Sequence, residues 1–156
     1  MHRAIFTGAT LLFAGSALMG HATPTSQQQA LQWGPAPAVF PKGAEMAVVS
    51  GDPSKAAQFA VQLKMPDGYT IPPHFHPTAE VVEVKSGTFL YAMGDKINPA
   101  DMKPMTVGQS GSIPANTHHY ARAKGATIVQ VSGMGPFALI YVNAADDPQK
   151  AAPAKP

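Results

Sequence analysis

The chain has 156 residues, 45% of them hydrophobic and 13% charged, with a formal net charge of +2. That length and apolar content suit one folded domain with its own core and exclude a disordered chain, while the sparse charge offers no basic surface dense enough for nucleic acid. Sixteen prolines and fourteen glycines argue against long helices, because each proline removes a backbone donor and each interior glycine costs about 1 kcal/mol.

The N-terminus opens with His2 and Arg3, continues without charge from Ala4 to Met19 and closes on Gly20-His21-Ala22. A basic start, a short apolar stretch and small residues ahead of the cut are what an export signal requires, so residues 1–22 are expected to be a signal peptide cleaved after Ala22. The mature protein is then expected to be secreted to the periplasm. The apolar stretch falls short of the ~20 residues that span a bilayer, so no stable membrane anchor is expected. With no cysteine in the chain, the fold must be held by packing rather than disulfides.

Residues 23–30 are polar and read as a flexible lead-in, with the folded domain expected over residues 31–146. From there, β-favouring segments alternate with turn formers: Glu45 to Ser50, Gln58 to Met65, Tyr69 to His76, Glu80 to Ser86, Thr88 to Met93, Gly111 to Ile113, His118 to Arg122, Thr127 to Ser132 and Phe137 to Asn143. The breaks carry turn chemistry, as in Pro66-Asp67-Gly68 and Ser86-Gly87. The pattern predicts an all-β sandwich, jelly roll or barrel in a single domain. Residues 98–108 are less regular and read as a loop over one end of the barrel. The Ala-, Pro- and Lys-rich residues 147–156 read as a disordered tail.

Six histidines are present, two of them, His2 and His21, inside the expected signal. His74 and His76 stand two apart on a predicted strand, so both leave the same face roughly 6 to 7 Å apart and can converge on one ion. Glu80 follows a short turn, Pro77-Thr78-Ala79, that returns a carboxylate toward them. Alternation puts Glu83 on the opposite face, where a solvated carboxylate is expected. His118 and His119 are adjacent, so only one of them can face the same interior. Gln62 and Gln130 are polar interruptions of apolar strands, placed either to orient a metal-bound water or to face solvent. The methionines, Met93, Met102 and Met105 among them, read as loop and core filling rather than as copper ligands.

The pattern Gly68-x5-His74-x-His76-x3-Glu80-x6-Gly87 resembles the first motif of the cupin superfamily, and Gly111 to His119 resembles the second. The similarity is to small secreted single-domain bacterial cupins of the type 2 group, RmlC-like, and runs from about Leu31 to Asp146. In the second motif Asn116 stands where the family has glycine. Asparagine is the other residue that visits left-handed dihedrals, so the turn is expected to survive. The resemblance selects His119 over His118 as the ligand and leaves His118 with an expected surface or supporting position.

The resemblance implies a cupin-type double-stranded β-helix, a jelly-roll barrel, with one metal held by His74, His76, Glu80 and His119. Three imidazoles and a carboxylate suit a divalent transition metal such as Fe, Mn, Ni, Cu, Co or Zn. The partner is then a small-molecule ligand or substrate, and a homodimer follows only from the habit of the family. Two functions are compatible with such a centre. One is a metalloenzyme, a dioxygenase or related oxidoreductase acting on a small oxygen-rich organic molecule. The other is a non-catalytic periplasmic module that binds a metal or a metal-chelated ligand.

Overall fold

The computed structural model describes residues 30–150, so the expected signal and most of the lead-in lie outside the described residues. Within it, nine strands pair in antiparallel fashion in one continuous sheet: β1 (Gly34–Pro35), β2 (Glu45–Ser50), β3 (Gln58–Met65), β4 (Thr70–Phe75), β5 (Glu80–Met93), β6 (Lys103–Thr106), β7 (Ser110–Ile113), β8 (His119–Met134) and β9 (Ile140–Tyr141). The all-β, single-domain expectation holds. Among the described residues, no helix is long and apolar enough to cross a membrane.

The sheet is organised by β8, which changes partners along its length. Its first half, His119 to Lys124, lies between β4 and the second half of β5. Its second half, Thr127 to Met134, lies between β3 and the first half of β5. One strand thereby belongs to two layers, and the sheet curls around the side chains that β3, β4, β5 and β8 turn inward. On β3 these are Phe59, Val61, Leu63 and Met65, all buried, at the two-residue period of a strand with one solvated face. The intervening Gln62 pairs with Gln130 across the register, Nε2 to Oε1 at 3.3 Å, away from the apolar interior.

Two pairs of expected strands are in fact single long strands. Ser86-Gly87 is not a hairpin turn but a register slip inside β5, and Lys124 to Ala126 is likewise spanned within β8. Gly87 explains the first case. Its φ of +75° is one that L side chains rarely adopt, and a Cβ there would sit 2.4 Å from the Ala126 carbonyl oxygen and 2.6 Å from Thr127 Oγ1. Glycine serves close strand approach here rather than chain reversal. The slip also shifts the inward set of β5 from Glu80, Val82 and Val84 to Phe89.

Residues 98–108 are corrected by the structure, because they are not simply a loop over the barrel end. Asn98 caps a short 3-10 turn, Pro99–Asp101, and β6 then pairs with Thr88 to Tyr91. The reason is Met105, which buries its side chain in the core and gives the segment an apolar anchor. Tyr120 holds the start of this segment, its hydroxyl accepting from the Asn98 N–H at 3.0 Å and donating to the Asn98 carbonyl at 3.1 Å. The last expected strand, Phe137 to Asn143, shrinks to Ile140–Tyr141, because Phe137 and Leu139 line a cavity instead of pairing. Of the expected tail, residues 147–150 form a turn against the domain with Asp147 buried, and residues 151–156 lie outside the described residues.

Gly87→Ala must force either the β8 backbone or the β5 slip to move. It should destabilise the protein by about 2 to 4 kcal/mol, read as a lower urea midpoint with little change in slope.

Candidate metal centre

Proline determines how β4 presents its histidines. Pro72 and Pro73 have no N–H to give to the sheet, and the register with β8 slips between Ile71 and His74. The slip turns His74 inward after Ile71, and His76 follows on the same face just beyond the strand end. It also leaves the Pro72 carbonyl within 2.7 Å of His74 Nδ1. His119 opens β8 directly opposite His74, and Glu80 opens β5 after the turn at residues 77–79. Asn116 takes a φ of 59°, the one positive value at a non-glycine position among the described residues, and its N–H donates to the His76 carbonyl at 2.8 Å. The Asn-for-Gly replacement therefore keeps the turn that brings His119 beside His76.

All four predicted residues come together and all are buried, at 3 to 5% exposure. His74, His76 and His119 each offer a ring nitrogen within 4.8 Å of the others. Glu80 Oε1 lies 2.9 Å from His119 Nε2 and 3.4 Å from His76 Nε2. Each Nδ1 is committed to a backbone carbonyl: His74 to Pro72, His76 to Ala138 at 2.8 Å and His119 to Thr117 at 2.9 Å. A carbonyl only accepts, so each Nδ1 carries a hydrogen and each Nε2 is directed at the centre. Placing Nε2 lone pairs this close to a buried carboxylate calls for a positive charge among them, either a proton or a cation. Three imidazoles with the tautomer set from behind and one carboxylate fit a single divalent transition metal.

The electrostatics favour the same assignment for His74. Burial pushes its pKa down to about 3, with the neighbouring His119 and His76 acting in the same direction. His74 is therefore neutral at ordinary pH, as a ligand must be. For Glu80, burial acts to raise the pKa, but the proton that the metal-free cluster must hold, hydrogen-bonded between Glu80 and the Nε2 atoms of His119 and His76, outweighs it and brings the carboxyl down to about 2. The carboxylate is thus charged despite its burial.

The remaining sequence candidates lie elsewhere. His118 is partly exposed, with Nδ1 2.6 Å from Asp95 Oδ1 and its ring stacked on Phe75 at 5.1 Å, so the structure places it with those residues rather than with the four. Glu83 pairs with Lys85 on the outer face at 2.7 Å. Met93 is exposed and Met105 belongs to the core. Sequence reasoning missed the carbonyls behind the imidazoles and also Phe137, which stacks on His76 at 4.2 Å. The Pro72 and Thr117 carbonyls lie two residues before their histidines and were discoverable locally. Ala138 is 62 residues from His76 and had no local signal.

The four residues line one end of a cavity of about 180 Å³ whose other walls are apolar, including Phe40, Phe59, Val82, Phe89 and Val129.

Residues 61–132, which include all four clustered residues, match the Cupin domain family, Cupin_2. Among solved structures, an RmlC-like cupin from Shewanella frigidimarina is 17% identical at a TM-score of 0.53, over 74% of this chain and 90% of that one. A structure described as a putative acetylacetone dioxygenase from Methylibium petroleiphilum is 18% identical at a TM-score of 0.56, over 82% of this chain and 85% of that one. A DMSP lyase from Ruegeria pomeroyi is 18% identical at a TM-score of 0.56, over 71% of this chain and 60% of that one. No curated protein matches the chain significantly. At these identities the likeness establishes the fold.

Acid should weaken the metal-stripped protein in a defined window. Unfolded, His74 takes a proton below its ordinary value of 6.5, whereas folded it resists until about 3. The unfolded state then binds more protons between those values, so stability falls as pH falls through them. Glu80 adds a second loss between its ordinary 4.5 and about 2. Urea midpoints in the presence of a chelator should decline from pH 7 to pH 4, and His74→Asn should flatten the upper part of that decline.

Proposed function

We propose that this chain, which carries a cupin domain, holds one divalent transition metal between His74, His76, Glu80 and His119 and uses it as a dioxygenase or related oxidoreductase on a small organic molecule. The observation that carries this reading is the convergence of three pre-oriented imidazoles and a buried carboxylate at one end of a cavity. These four residues would hold the ion from one side, and the cavity is where a substrate would reach it. With residues 1–22 read as an export signal, the proposal locates this activity in the periplasm.

When bound, the metal supplies Lewis acidity and, for Fe, Mn or Cu, redox capacity next to a chelated substrate. The chain's own residues hold and orient. The carbonyls of Pro72, Ala138 and Thr117 fix the three rings, Phe137 packs flat against His76, and the apolar walls exclude water from the substrate. The lining also favours redox chemistry over elimination or hydrolysis. Apart from the four clustered residues, no lining side chain among the described residues can donate or accept a proton. A lyase or hydrolase mechanism would have to draw its acid or base from a metal-bound water or from the cluster itself. The named relatives span a dioxygenase and a lyase, and it is this absence of a further titratable group among the lining residues that supports the first.

The metal assignment and the reaction are tested separately. His76→Ala should reduce bound metal to background and abolish the rise in Tm that metal gives the parent protein, since binding is coupled to folding. Retained metal in that variant would refute the ligand set. Parent protein loaded in turn with Fe, Mn, Ni and Cu should consume oxygen with at least one member of a panel of diketones, flavonols and oxalate. Tight binding without turnover across the whole panel would instead establish the non-catalytic module.

A further inference from the structure

On the reading of these four residues as a metal centre, we propose that the ligand is compact and mainly apolar, about the size of one six-membered ring, with a single metal-binding end carrying at most one negative charge. Three features of the cavity support this.

The first is size. The cavity measures about 180 Å³, and an apolar cavity of about 150 Å³ accommodates benzene. A single ring with a short polar end fits, and an oligosaccharide does not.

The second is the walls. Among the described residues, every lining side chain beyond His74, His76, Glu80 and His119 is apolar, from Ile71, Val82 and Val129 inside to Phe40, Phe137 and Leu139 at the half-buried rim. A hydroxyl, ammonium or second carboxylate on the body of a ligand would lose its water and find no side-chain partner in exchange. The rim does not relieve this. Its strap, residues 37–41, is tied down from below, with the Tyr141 hydroxyl donating to the Val39 carbonyl at 2.8 Å and the Tyr69 hydroxyl donating to the Pro41 carbonyl at 2.5 Å. Those ties keep Pro37, Val39 and Phe40 facing the opening.

The third is charge. A divalent ion and the Glu80 carboxylate together leave one positive charge, which one enolate, phenolate or similar monoanion neutralises. A dianion would overshoot and place a surplus negative charge among hydrocarbon groups. The oxygen-rich substrate expected from the sequence is thereby narrowed to one whose oxygens are gathered at the metal end.

Zinc-loaded protein tests this without turnover. Acetohydroxamate, benzohydroxamate, 4-carboxybenzohydroxamate and oxalate are titrated by calorimetry, each affinity being divided by that of the same chelator for zinc in water. Metal-stripped protein is the control, and zinc content is measured independently. Benzohydroxamate should exceed acetohydroxamate by at least about tenfold, the discrimination an apolar pocket gives for added hydrocarbon. The 4-carboxy compound and oxalate should each fall at least about tenfold below benzohydroxamate. Equal affinities, or preference for either of the more highly charged chelators, would overturn the proposal while leaving the metal centre standing. Failure to retain zinc, or binding that does not depend on it, would overturn the metal centre itself.

Discussion

The centre of this protein depends on a buried carboxylate facing imidazole nitrogens whose opposite sides are already committed. Glu80 lies within 3.4 Å of Nε2 of both His76 and His119, and the three ring Nδ1 atoms all donate to backbone carbonyls. A charged group with so little solvent requires compensation by pairing and hydrogen bonding. The backbone carbonyls orient the rings, and a proton or cation held between the Nε2 atoms and Glu80 keeps the carboxylate ionised. Displacing any one of these leaves polar atoms stranded in an apolar interior.

The surrounding architecture can be understood as the means of holding that arrangement. β8 carries His119 at its start and continues for 16 residues as the partner of β3, β4 and β5. A ligand on β8 is therefore braced by much of the sheet rather than by a mobile loop. β4 contributes through what its prolines cannot do, since missing donors at Pro72 and Pro73 accompany the slip that turns His74 inward. Asn116 connects the two halves, its left-handed turn joined to the His76 backbone. The Ala138 carbonyl brings in a third segment, so His76 is oriented by the same loop whose Phe137 and Leu139 form the rim. The ligand cluster and the cavity entrance are thus mechanically connected.

An apolar cavity opening onto one polar cluster limits what the protein can do chemically. Recognition of a molecule held away from the four clustered residues would rely on shape and hydrocarbon burial, because the other lining side chains among the described residues offer no donors or acceptors. The same composition limits the proton chemistry available from the chain. On the proposed reading, orientation and water exclusion fall to the protein, and the reactive chemistry falls to the bound ion.

Much of this was legible in the sequence because it is encoded at short range. The spacing of His74 and His76, the two-residue period of β3 and the turn chemistry of Asn116 all depend on neighbours along the chain. So does the separation of Glu80 from Glu83, which strand alternation assigns to opposite faces. The choice of His119 over His118 required the motif as a whole, since alternation alone says only that they differ. Local patterns misread Gly87 as a chain reversal and Met105 as part of a loop. In each case the deciding contact lies across the sheet: the Ala126 carbonyl occupies the space where a Cβ would go, and the core receives the methionine. Likewise, only the folded chain brings the Ala138 carbonyl and the Phe137 ring to His76, and only it shows that the cavity walls beyond the four clustered residues are apolar. The sequence by itself determined which side chains could meet a metal ion, because ligand type and strand period are local properties. Tertiary structure decided how those ligands are oriented and what can approach them, because both depend on strands and loops brought together from distant parts of the chain.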